Sequence, residues 1–170
     1  MFGKALLFGL VIMASVFIFA EGVLAEPHEE LYPLLSNIDG WNASEVKGMS
    51  LAAGNMKMIN ATRNFTKEGK RLDSAIMVNS GPAPDSQTRK YSAETGGQKV
   101  TTKQMKGGYW VTTVYSKKNN AGQLIILLAA NAQSHGLLTI NFSGMDDEEA
   151  LSVAGQFQWS KMKKIVEEML

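Results

Sequence analysis

The sequence predicts an α+β domain: an antiparallel sheet of about six strands, with a short N-terminal helix and one or two C-terminal helices packed on one face, after a cleaved signal peptide. Three observations carry this reading. Gly122–Asn131 (GQLIILLAAN) is the most apolar run outside the amino terminus; it has strand length and lies between two turn-like stretches. Alternating runs with hairpin-length connections surround it, whereas parallel neighbours would need crossovers of about a dozen residues. After Phe142 the apolar period lengthens from that of a strand to that of a helix.

In chain order, residues 1–25 come first. Lys4 precedes an apolar or small stretch from Ala5 to Ala20, and Val23-Leu24-Ala25 places small residues at processing positions. This is the pattern of a signal peptide cut after Ala25, and the block is shorter than the ~20 residues of a bilayer span. The expected organisation is therefore 1–25 signal peptide and 26–170 a single exported domain, periplasmic or extracellular, with no stable membrane anchor after cleavage.

From Glu26, Pro27 and the neighbouring acidic residues suit a helix amino end, with Leu31, Leu34, Leu35 and Ile38 on one side. Pro33 limits this helix, which should end before Asp39-Gly40. Trp41 enters the first strand region. Met56–Thr66 and Arg71–Asn79 alternate around Lys67–Lys70 and predict a hairpin, with Leu72, Ile76 and Val78 inward and Arg71, Asp73 and Asn79 outward. Ser80–Gly97, small and polar with two prolines, reads as the longest loop. Strands are then expected at Gln98–Gln104, Tyr109–Ser116, Gln123–Ala130 and Leu137–Phe142. In the apolar run, Leu124, Ile126 and Leu128 should face one side and Ile125, Leu127 and Ala129 the other, which predicts a central strand covered on both faces. Asp146 with Glu149 resembles a capping box, and Ser160 can cap a second helix carrying Met162, Ile165, Val166 and Met169.

Charge is nearly balanced, Lys+Arg 17 against Asp+Glu 16, so no global field argues for nucleic acid. Lys67, Lys70, Arg71, Arg89, Lys90, Lys99, Lys103 and Lys106 are interspersed with acids, and aromatics do not interleave with them as an RNA-binding sheet requires. With Cys 0, disulfide-stapled scaffolds are excluded. His28 and His135 are too far apart in the chain to suggest a histidine metal centre, and Ser134-His135 reads as a turn rather than a nucleophile and its base. Processing at Ala25 would leave histidine third, but Pro27 has no amide proton to give a square-planar Cu(II) site.

Met49, Met56, Met58, Met77 and Met105 are thioethers able to meet Cu(I), although the spacing of Met56 and Met58 is also that of core residues. Sequons occur at Asn42, Asn60, Asn64 and Asn141. No motif assigns a family, a catalytic residue, a metal or a cofactor.

These residues point to a small non-catalytic binding or accessory domain, its partner a protein or small ligand and not nucleic acid. The alternative is an enzyme or copper-binding protein of the envelope. Within the long loop, Asp85, Arg89, Lys90 and Tyr91 form the expected contact region.

Overall fold

The computed structural model describes residues 26–170; the expected signal peptide at residues 1–25 lies outside the described residues. The rest is mostly sheet. Nine antiparallel strands form one sheet and two α-helices follow: β1 Asn42–Ala43, β2 Lys47–Ala53, β3 Met56–Lys67, β4 Lys70–Ser80, β5 Tyr91–Thr95, β6 Gln98–Gln104, β7 Trp110–Ser116, β8 Ala121–Ala130, β9 Ser134–Ser143, α1 Asp147–Ala154 and α2 Trp159–Met169. The spatial order is β1-β3-β4-β9-β8-β7-β6-β5, and β2 continues the β1 edge along β3.

The count of nine corrects the expected six. The additional strands β1, β2 and β5 all lie at the two sheet edges, where little is buried and no alternation is imposed on the sequence. The expected loop over Ser80–Gly97 is corrected with them. It is reduced to residues 81–90, containing a 3-10 turn at Asp85–Gln87, and Tyr91–Thr95 pairs with Thr102–Gln98.

Two meanders meet at β4 and β9, which pair from Arg71↔Ser143 to Ser80↔Ser134. The reversal at Lys67–Lys70 is a two-residue loop with Glu68 at φ 47° and Gly69 at φ 80°. That handedness matches the twist of the flanking strands.

The N-terminal helical turn and both α-helices lie on one face of the sheet. On that face Ala61, Ile76, Leu138, Ile126 and Val111 form a cross-strand row that is fully buried. Leu72, Ile76 and Val78 point inward on β4, as its alternation predicts. Phe65 meets Phe157 edge to face at a centroid distance of 5.8 Å.

The short N-terminal helix is corrected to a 3-10 helix, Glu29–Leu34. Pro33 has no N–H to donate to an α-helical ladder, and the segment closes instead through three-residue bonds from Leu31 N to His28 O and from Leu35 N to Tyr32 O. Arg63 Nη1 donates to Leu35 O at 2.6 Å and ties this turn to β3.

Asp146 caps α1 as expected: its Oδ1 accepts from Glu149 N at 2.8 Å, a contact typically worth about 1 kcal/mol. Lys70 pairs with the Glu149 carboxylate and joins β4 to α1. Ser160 does not cap α2. The helix begins at Trp159 behind Gln158, which makes no side-chain capping bond; Trp159 Nε1 instead donates to Ala154 O at 2.8 Å.

Candidate functional site

The face of the sheet opposite the helices is where the expected contact residues gather. Pairing places Met49, Asn60, Met77, Leu137, Leu127 and Trp110 in one row across six strands of this face. The next row is Thr62, Ala75, Thr139, Ile125, Thr112 and Thr102. A third is polar: Asn64, Asp73, Asn141 and Gln123, with Gln123 Nε2 donating to Asn141 Oδ1 at 3.0 Å.

Coverage of β8 is therefore uneven. Leu124, Ile126 and Leu128 are buried under the helices, while Ile125 and Leu127 on this second face are only half-buried. The expectation for Ala129 is also corrected. A bulge shifts the β8–β9 register between Leu127 and Ala129 so that Ala129 pairs with Gly136, which places Leu128 and Ala129 together on the helix face.

Residues 81–90 cross this second face as a strap. They leave β4 at Ser80 and enter β5 at Tyr91, with β9, β8, β7 and β6 between. At ~4.8 Å per strand spacing the path is about 24 Å, and ten residues reach about 33 Å when fully extended. The strap is therefore long enough to make the crossing with its 3-10 turn included.

Its course is marked at both ends. His135 points to this face and its Nδ1 lies 2.8 Å from Gly81 O, the tautomer with a proton on Nδ1 making it the donor. Further along, the Asp85–Gln87 turn touches β7. Gln87 is 8% exposed, and so are the outward-facing Thr102 at 3%, Thr112 at 7% and Leu137 at 7%. Thr102 and Thr112 share a hydroxyl–hydroxyl bond of 2.9 Å. Gln87 Oε1 finds no donor among the described residues.

The structure places three of the four expected contact residues on this element and the fourth immediately after it. Asp85 opens the 3-10 turn, Arg89 and Lys90 are exposed on the strap, and Tyr91, 49% exposed, is the first residue of β5 rather than part of a loop. Asp85 accepts from Thr88 through its carbonyl, both from N and from Oγ1 at 3.1 Å. The turn is thus self-supporting.

Ser134 and His135 lie in β9, not in a turn, so their side chains leave opposite faces of the sheet. Ser134 Oγ donates to Leu170 O at 3.1 Å on the helix side, while His135 bonds to the strap. They do not form a nucleophile–base pair. His28 packs on the helix side, its Nδ1 3.0 Å from Ser50 Oγ and its ring 5.7 Å from that of Tyr32.

The basic residues separate as well. Arg71 lies on the second face and its Nε donates to Asp73 at 2.9 Å, whereas Lys70 pairs with Glu149 on the helix side. All four sequon asparagines, Asn42, Asn60, Asn64 and Asn141, fall on the second face. Spacing alone puts Asn60 and Asn64 on one face of β3; Asn42 joins them through the β1–β3 pairing and Asn141 through β9 lying beside β4.

A hollow of about 400 Å³ lies between the β6–β7 hairpin and the helices and is lined by Met105, Tyr109, Leu151, Phe157 and Trp159. Tyr109 and Trp159 meet edge to face there at 5.4 Å. Among the described residues no group of three or more His, Cys, Asp or Glu could hold a metal ion, and no helix is long and apolar enough to cross a membrane. Compared with protein-family models, with curated proteins and with solved structures, the chain matches none.

Proposed function

We propose that this protein is a small exported binding or accessory domain without catalytic activity, periplasmic or extracellular, beginning at Glu26. Its partner, a protein or small ligand, is held by the strap and the half-buried face beneath it. The observation that carries this reading is the strap itself. It crosses four strands with Arg89 and Lys90 exposed and leads into the exposed Tyr91, and its 3-10 turn touches β7 at the end of the second face where Leu137, Leu127 and Trp110 lie away from the helices. Nucleic acid is not part of this reading: charge is nearly balanced, Lys+Arg 17 against Asp+Glu 16, and the adjacent Lys70 and Arg71 point to opposite faces, where they pair with Glu149 and Asp73. An enzyme reading has no support from Ser134 and His135, which diverge.

The strap cannot simply be removed, because its ends would no longer reach. The test is to replace residues 82–89 with Gly and Ser at equal length and, separately, to make Tyr91→Ser. Both variants should melt cooperatively, within a few degrees of the parent, and lose capture of the partner in the native host. Undiminished capture by both would sink the proposal. His135→Ala should lower stability by about 1 kcal/mol through its lost bond to Gly81 while retaining capture; loss of an activity in that variant alone, with the fold intact, favours an enzyme.

Export is read by intact mass. The product should start at Glu26 and carry no sugar, since glycans on Asn64 or Asn141 would occupy the binding face. A mass that includes residues 1–25 rejects the cleavage, and added hexose rejects that face as the contact surface.

A further inference from the structure

Met49, Met56, Met58 and Met77 come from three neighbouring strands to one end of the second face, and Met58 is their hub. Met58 pairs with Leu51 and Asn79, while Met49 and Met77 both pair with Asn60, two residues along β3. Met49 and Met77 are thus the diagonal neighbours of Met58 on either side, about 7–8 Å away between Cα atoms and within reach of long side chains. Met56 follows on the same face of β3.

In the sequence, the spacing of Met56 and Met58 favours core residues over metal ligands. The structure overturns this for Met56, which is 70% exposed; Met49 is 52% exposed, and Met58 and Met77 are half-buried. Filling a core does not account for methionine at the exposed positions. Beside them lies a hollow of about 260 Å³ lined by Leu51, Met56, Lys57, Met58, Asn79 and Ser80.

We propose that this cluster binds a soft monovalent ion, Cu(I), through thioether sulfurs. Thioethers are soft donors without charge, suited to Cu(I) and poorly suited to Zn(II), Mg(II) or Ca(II). The chain has Cys 0, so no thiolate competes for the ion. The polar side chains between the methionines, Asn60 and Asn79, are neutral amides. Lys57, the cation nearest the hollow, is drawn to the helix side, where its Nζ donates to Met169 O at 3.0 Å. Flexible methionine side chains on fixed strands allow three sulfurs to close on an ion above Met58. Met105 belongs to the Tyr109–Trp159 hollow and takes no part.

The site has a chemical signature that separates it from histidine and cysteine sites. Those ligands must lose a proton to bind metal, so their affinity falls in acid. A thioether has no proton to lose, so Cu(I) binding should be unchanged between about pH 7 and about pH 5, across the range where imidazole titrates.

The test is titration of the purified protein with Cu(I) under ascorbate, with bicinchoninate as the competing chelator, and with methionine methyl resonances recorded as Ag(I) is added. The expected result is one ion per chain, methyl shifts confined to the cluster, and at least tenfold weaker binding in Met58→Leu with Met77→Leu. Met105→Leu should bind as the parent does. Leucine keeps the size and apolarity of the surface, so these variants fold, and a role in apolar docking would survive in them. Absence of methyl shifts, binding unaltered in the leucine variants, or binding lost at about pH 5 each overturns the proposal. The strap is not involved, so a failed titration leaves the proposed binding function standing.

Discussion

Ile126→Asp should leave no cooperatively folded protein. Ile126 is fully buried at the middle of β8, with Leu138 paired on one side and Val111 on the other, both also fully buried. A carboxylate there has no cation or donor in its cross-strand row. Isolated burial of an ionised carboxylate is prohibitive, and protonation still leaves an unpaired polar group costing several kcal/mol, beyond the lost packing of the isoleucine. The whole fold is expected to be worth only about 5–15 kcal/mol, so this one change consumes most of it. Its neighbour supplies the control. Ile125 faces the second side and is only half-buried, so Ile125→Asp can keep its carboxylate partly hydrated and should melt cooperatively at a lower temperature. Circular dichroism melts of the two variants decide the matter; equal loss in both would mean that the second face is as dry as the first.

That contrast also marks how far the fold was legible in the sequence. An apolar run such as Gly122–Asn131 states that both faces resist water, but it does not state how completely each is covered. Helices cover one face of β8, and a strap covers part of the other. The interior strands were readable because half-burial imposes a period of two, as in Leu72, Ile76 and Val78 on β4. Lys47–Ala53 and Tyr91–Thr95 were not, because edge strands bury little: Met49 and Leu51 on β2 are more than half exposed, and Tyr91 on β5 nearly so. The bulge at Leu128 was invisible for a related reason. One extra residue changes the face of Ala129 without changing any residue type.

The candidate site was legible only in part. Length and composition singled out the segment that became the strap, including Asp85, Arg89, Lys90 and Tyr91, because such segments carry few packing constraints. What the segment crosses depends on β9 inserting between β4 and β8, a long-range pairing that local pattern does not encode. The same pairing brings His135 to Gly81. Met56 and Met58 were correctly expected to share a face, yet whether that face was core or surface required the position of β2 and β4 beside them.

The seating of α2 on the sheet gives a second large effect, at Gly136. A Cβ built on Gly136 would stand 2.1 Å from Val166 Cγ1 and 3.3 Å from Val166 Cβ. Val166 is fully buried on α2, and the contact persists at its Cβ whichever methyl rotates away. A valine in a helix also has essentially one χ1 rotamer. Gly136→Ala must therefore push α2 off β9. Against this stands the entropy that alanine removes from the unfolded chain, about 0.4–1 kcal/mol in favour of folding. Overpacking costs about 1–3 kcal/mol, so the clash should win and the variant should be destabilised. Val166→Ala alone opens a cavity and is destabilising too. Together the two changes should cost less than their sum, because the alanine at 166 makes room for the new methyl at 136, with a coupling of about 1 kcal/mol or more. Urea unfolding of the four proteins measures it. Costs that add to within about 0.3 kcal/mol would show that α2 does not rest on Gly136.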